Sequence, residues 1–219
     1  MAVSIEELID IFSLPHEFRH VEFKEPGKPE GHFLIKIIKV VLGMANSRDG
    51  GKIIIGVRED SNGNLEKIGL DENQLLSWKY DDLAAQVFSF SDPSVDFQME
   101  SIEHEKKKYI VLSVDEFRDV PIICKKEFIH QDSMNRTNKI ILRKGACYVR
   151  PGGKPETVEI PNQEEMRNLL DLATEKRLKY FLSMGKRAGL NFSELFLEKN
   201  HLNEARMYRE QIRDLIDEQ

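Results

Sequence analysis

A chain of 219 residues, 40% hydrophobic and 32% charged, has the composition of a globular protein with apolar surface enough for one substantial core plus an appendage, which excludes intrinsic disorder and argues against two full domains. The net charge of −6 speaks against a uniformly basic polyanion binder. Two cysteines far apart in sequence, Cys124 and Cys147, exclude a disulfide framework and a zinc knuckle and read as reduced, buried thiols.

Residues 4–12 predict an amphipathic helix: Ser4 and Glu7 have the capping-box spacing, and Ile5, Leu8, Ile9 and Phe12 recur at helical intervals. Glu6, Glu7 and Asp10 there replace the basic start and unbroken apolar run of a secretory leader, so a cytoplasmic location is expected. Residues 18–24 alternate. Val21 and Phe23 fall on one face, Glu22 and Lys24 on the other, the pattern of a half-buried strand with a charged outer face. After a loop carrying Gly27, Pro29 and Gly31, residues 33–46 form a largely apolar helix interrupted by Lys36 and Lys39, too short and too charged to span a membrane. A turn over 47–51 leads into the β-branched run Ile53, Ile54, Ile55, read as a central strand. A second helical region covers about 71–90, stopped by Ser91, Asp92 and Pro93. Strands are expected over 95–100, 109–114, 121–124, 139–142 and 147–150, completing one mixed sheet. From 162 onward, Leu169, Leu170, Leu172, Leu178, Phe181 and Leu182 mark a helix with an apolar stripe, broken at Gly185 and Gly189 ahead of a last helical segment. The expected organisation is an α+β domain over 1–160, a mixed β-sheet with packed helices, followed by C-terminal helices over 161–219. Their stripe should dock on the domain, on a second copy in a homodimer, or on a partner protein.

Charge is unevenly distributed. Residues 121–154 hold eight basic side chains (Lys125, Lys126, Arg136, Lys139, Arg143, Lys144, Arg150 and Lys154) against the acidic Glu127 and Asp132, a local balance of +6. The first seven are candidate nucleic-acid contacts, the competing reading being solvated charges that flank strand edges. Glu17 and Glu22 bracket the entry to the first strand, and Glu59 and Asp60 follow the strand through Ile55 and Val57. If the two strands are neighbours, these carboxylates converge at one end of the sheet, where Mg²⁺ or Mn²⁺ would be needed to offset their repulsion. Lys24 would then stand ready to stabilise phosphate charge. The alternative is ordinary solvated carboxylates. Glycines around residues 43–52 lack the spacing of a phosphate loop and read as a tight turn, the six histidines show no metal-ligand spacing, and Trp78 and Tyr80 read as core or interface.

The run from Glu17 through Glu22, Phe23 and Lys24, the helix ending at Ala45 and Asn46, the pair Gly50 and Gly51, the strand ending Gly56, Val57, Arg58, Glu59, Asp60, and the late Tyr148, Val149, Arg150 together resemble the Schlafen AlbA_2 pattern over roughly residues 15–155. That resemblance implies an α+β domain that works on nucleic acid. By it, Glu17, Glu22 and an acid at Glu59 or Asp60 would hold Mg²⁺ or Mn²⁺ in an endoribonuclease acting on structured RNA such as tRNA, with prokaryotic antiviral defence as the expected setting. Vertebrate Schlafen cores clasp RNA between two tandem lobes and carry a structural zinc. This chain has one copy and no counterpart of the zinc cysteines, so a comparable cleft would require a dimer. The alternatives are a DNA- or RNA-binding module without catalysis, or a protein-interaction subunit.

Overall fold

The computed structural model describes residues 5–12, 19–59, 64–131, 138–152 and 156–190, with the side chains of Ile5 and Glu59 excepted. Glu17, Asp60, Arg136, Lys154 and the last helical segment expected after Gly189 therefore lie outside the described residues. In chain order the elements are α1 (Ile5–Phe12), β1 (Val21–Lys24), α2 (Gly31–Ala45), β2 (Gly51–Ile55), β3 (Val57–Glu59), β4 (Leu65–Lys67), α3 (Glu72–Ser77) and α4 (Tyr80–Phe90). They continue with β5 (Ser91–Asp92), β6 (Phe97–His104), β7 (Lys107–Val114), β8 (Ile123–Cys124), β9 (Phe128–Gln131), β10 (Asn138–Leu142), β11 (Tyr148–Val149), β12 (Val158–Glu159) and α5 (Gln163–Arg187).

The strand, helix, strand segment that opens the fold is a parallel crossover unit. β1 pairs in parallel with β2, Glu22 level with Ile53 and Lys24 with Ile55, and parallel neighbours need a connection as long as α2 to bring the chain back. β7 and β6 then add antiparallel, giving the order β1-β2-β7-β6. The reversal between β6 and β7 is made by Glu105 and Lys106, both with positive φ (50° and 62°), as a tight two-residue hairpin demands. Period-two alternation sends the two faces of this sheet into two cores. Ile53, Ile55, Ile110, Leu112 and Val114 pack with α2 and α4, while Val21, Phe23, Ile54 and Val111 pack with Leu8, Ile11 and Phe12 of α1. α2 is buried along ten of its residues because it is covered twice, by the sheet on one side and by β10 and β11 on another.

Three expectations are corrected. The strands after residue 121 do not complete one mixed sheet: β8, β9 and β10, β11 and β12 form separate two-stranded pairings, β8 with β5. The helical region over 71–90 is two helices, divided where Trp78 takes an extended backbone, buries its ring and donates its indole N–H to Gly27 O at 3.0 Å. The C-terminal stripe is not one surface, for Leu169 and Leu172 are buried in the α2 core whereas Leu170, Leu178 and Phe181 are exposed. The chain divides into two compact units, 1–173 and 174–219, so the division falls inside α5. Among the described residues no helix is long and apolar enough to cross a membrane.

Candidate functional site

Glu22 is not on an outer face. Its strand is buried on both sides, and the residue is 7% exposed. One oxygen, Oε1, accepts from the Lys24 ammonium two residues along the same strand face. The other accepts from Arg150 Nη1 at 2.6 Å. Arg150 is fully buried, and it also donates from Nε to Arg19 O at 2.7 Å and from Nη2 to Val21 O at 3.4 Å at the first strand, and from Nη1 to the Thr157 hydroxyl at 3.3 Å just before β12. A guanidinium can satisfy several acceptors in fixed directions, so Arg150 ties the end of β11 to β1 across 128 residues of sequence. Arg150 was expected to face a polyanion. With no exposed surface it cannot, and its place is structural.

Gly43 makes the pairing sterically feasible. A Cβ there would stand 2.5 Å from Thr157 Cγ2, so only glycine lets the Thr157 segment lie against α2. Asn46, at the end of α2, is a second fastening. Its side chain donates to Ile122 O (2.8 Å) and Tyr148 O (2.9 Å) and accepts from Ile122 N (2.7 Å), binding helix, β8 segment and β11 together. Tyr148 supports the same corner. Its hydroxyl accepts from Arg143 N at 2.8 Å, Lys39 stands over its ring, and burial pushes its pKa up to about 12. Cys147, beside the same Asn46 amide, has a thiol pushed up to about 11 by burial; both cysteines are free.

Of the expected site residues, Glu22 and Lys24 are brought together. β1 and β2 are neighbours as expected, but Glu59 ends β3, which starts only after Lys24 O has accepted from Gly56 N, past the end of β1. Glu22 is level with Ile53 and turned under the outer ribbons. Among the described residues no three His, Cys, Asp or Glu side chains group as metal ligands do. Each oxygen of Glu22 already accepts from a cation, so a divalent ion at Glu22 would have to displace Lys24 or share an oxygen with it. At the other end of β1, an open cleft of about 400 Å³ is lined by Arg19, His20, Arg48 and Asp49, with Glu165 and Asp171 opposite. Its charge is of mixed sign, and Arg19 Nε is buried there without a hydrogen-bond partner. Nothing in the chemistry of Arg19, Arg48 or Glu165 marks them in the sequence as partners, because they meet only through the fold.

The basic residues of the late segment fare differently. Cys124 N donates to Ala146 O and Gly145 N to Cys124 O, both at 2.8 Å, which seats the turn after β10 against β8. That brings Arg143 and Lys144 beside Lys125 and Lys126. Lys126, Lys139, Arg143 and Lys144 are exposed and Lys125 partly so. Arg143 pairs with Glu159 at 3.3 Å, while Lys125 and Lys126 stand over the rings of Phe88 (4.1 Å) and Phe90 (4.3 Å). Exposed Ile129 and Ile140 lie directly opposite each other on the hairpin between. A cationic surface interleaved with aromatic and aliphatic side chains can hold phosphates by charge and bases by contact.

Such an α+β domain, with a strand bearing Glu22 and Lys24 closed by Tyr148 and Arg150, matches a known class over most of its length. Residues 17–159 match the family described as Schlafen, AlbA_2, and the chain belongs to that family. The family links the domain to nucleic acid. Two solved structures are similar to it. The DIP2311 protein from Corynebacterium diphtheriae shares 21% identity at a TM-score of 0.43, with 68% of this chain and 23% of that one covered. The N-terminal domain of a DNA helicase RecG-related protein from Nitrosomonas europaea shares 20% identity at a TM-score of 0.43, with 74% and 99% covered. This chain thus spans under a quarter of the length of the first. No curated protein matches it.

Proposed function

We propose that this chain is a nucleic-acid-binding module that holds the phosphate backbone on the exposed cations of the β8–β10 side and does not cut it. The observation that carries this reading is the engagement of Glu22: buried, with one oxygen on Lys24 and the other on Arg150, it serves as an internal tie. A carboxylate in that position would have to give up Lys24, or share an oxygen with it, before it could hold a catalytic cation. The second reading is an endoribonuclease dependent on Mg²⁺ or Mn²⁺ and acting on tRNA-like RNA. The cleft at the start of β1, where Arg19, His20 and Arg48 meet Asp49, Glu165 and Asp171, favours it.

Purified protein is incubated with labelled tRNA, single-stranded RNA and single-stranded DNA, in Mg²⁺ or Mn²⁺ and again in EDTA, and both retention and cleavage are followed on gels. Retention without cleavage, indifferent to EDTA, is the expected result. Cleavage that EDTA stops would establish the nuclease instead, and its loss in a Glu22→Gln variant shown to stay folded would place Glu22 in it. Absence of retention on every substrate removes the binding module.

A further inference from the structure

The hairpin of β9 and β10 lies over α2, and two imidazoles meet there. The rings of His32 and His130 have centroids 4.1 Å apart and planes 8° from parallel. Lys36 stands one turn on from His32, on the same face of α2. Lys139 is directly opposite His130 in the hairpin register, on the same side of the ribbon. His32 Nε2 is buried and has no hydrogen-bond partner. The charged groups that act on His32 are Lys36, His130 and Lys139, all basic; burial and these neighbours hold its pKa below the ordinary value. Lys39, the next residue along that helix face, is also lowered by burial and by Lys139, and the acids that act on it are Glu156 and Glu159. Basic side chains from two elements that all act on one partly buried imidazole repel one another unless an anion joins them.

We propose that His32, Lys36, His130 and Lys139 form a site for a phosphate group, which binds with uptake of a proton by the imidazole pair. A phosphodiester of a nucleic-acid backbone and a free phosphate ion share this chemistry; assigning it to the backbone rests on the proposed function, whereas the site itself does not. The direction follows from linkage. An anion that binds the protonated pair better than the neutral pair tightens as pH falls through the histidine range, and it raises the histidine pKa by the same factor.

Two measurements on the intact protein test this. Anisotropy of a fluorescein-labelled oligoribonucleotide is followed from about pH 8 to about pH 5.5, the range in which histidine titrates, for wild type, His32→Gln and His130→Gln. In parallel, the His32 ring protons are titrated by NMR with and without inorganic phosphate. Wild type should tighten by up to about tenfold per pH unit for each proton taken up, both variants should lose most of this dependence, and inorganic phosphate should raise the His32 titration point. Lys36→Gln and Lys139→Gln keep the imidazole stack; each should raise the His32 titration point of the free protein and weaken the phosphate effect. An unchanged pH dependence in both histidine variants overturns the site, as does a His32 titration that neither phosphate nor the lysine variants move. If no oligoribonucleotide binds at any pH while inorganic phosphate still raises the His32 titration point, the site stands for free phosphate and the proposed function falls.

Discussion

Arg150 and Glu22 show how a charged residue becomes a framework component. A buried ion pair contributes little net stability over a well-packed apolar pair, yet removing one partner strands the other charge. Arg150→Met should therefore cost about 3–5 kcal/mol in a urea titration, because Glu22 keeps only the partly exposed Lys24 and the carbonyls of Arg19 and Val21 lose a donor. Adding Glu22→Gln to that variant should recover part of the loss by removing the stranded charge. If Arg150→Met is as stable as wild type, the pair is not structural and Glu22 is again a candidate for chemistry. Little of this was legible in the sequence. Period-two alternation says that Glu22 and Phe23 occupy opposite faces, but it does not say whether the second face is covered, and here the cover arrives from 128 residues away.

At the scale of elements, local pattern and long-range pairing part company in the same way. The crossover of β1, α2 and β2 was readable because each piece carries its own period, and the turn into β2 was readable from its glycines. Gly50 has a φ of 65°, and a Cβ there would lie 1.9 Å from Val114 O, so the sequence marks a physical necessity. The break between α3 and α4 has no Gly or Pro at Trp78 or Lys79 to mark it; burial of the indole against Gly27 imposes it. The short ribbons were missed or merged into one sheet because two-residue strands such as β11 and β12 show no period at all. What holds them is the close approach of Thr157 to α2 at Gly43. Gly43→Ala would place a methyl 2.5 Å from Thr157 Cγ2, inside a helix where alanine is otherwise the better residue. Overpacking should outweigh that propensity and destabilise by about 1–3 kcal/mol. Gly43→Ala combined with Thr157→Ser, which removes the offending methyl, should regain most of the loss in the same urea titration. A stable single variant would mean that β11 and β12 shift away from α2 without penalty.

For the whole molecule, a net charge of −6 means that a polyanion can be held only by a local field, and charges beyond about 8 Å are screened at physiological salt. Among the described residues Lys126, Lys139, Arg143 and Lys144 are the exposed cations of the late segment. Each phosphate they neutralise releases counterions. If all four contact a single strand, the logarithm of the affinity should fall against the logarithm of salt with a slope of about −3, since each contact contributes about 0.7. Lys139→Gln together with Lys144→Gln should flatten that slope by about 1.4, whereas Arg150→Met, buried as that side chain is, should leave the slope alone while lowering the stability. Equilibrium titrations of an oligonucleotide at four or five salt concentrations, at a pH where the histidines are neutral, separate these contacts from the proton-linked pair of His32 and His130. A slope near zero in wild type would mean that the affinity comes from exposed Ile129, Ile140 and Phe88 rather than from charge. A slope that Arg150→Met reduces while its circular dichroism stays that of wild type, and that the lysine variants leave unchanged, would place the contacts elsewhere than on these four cations.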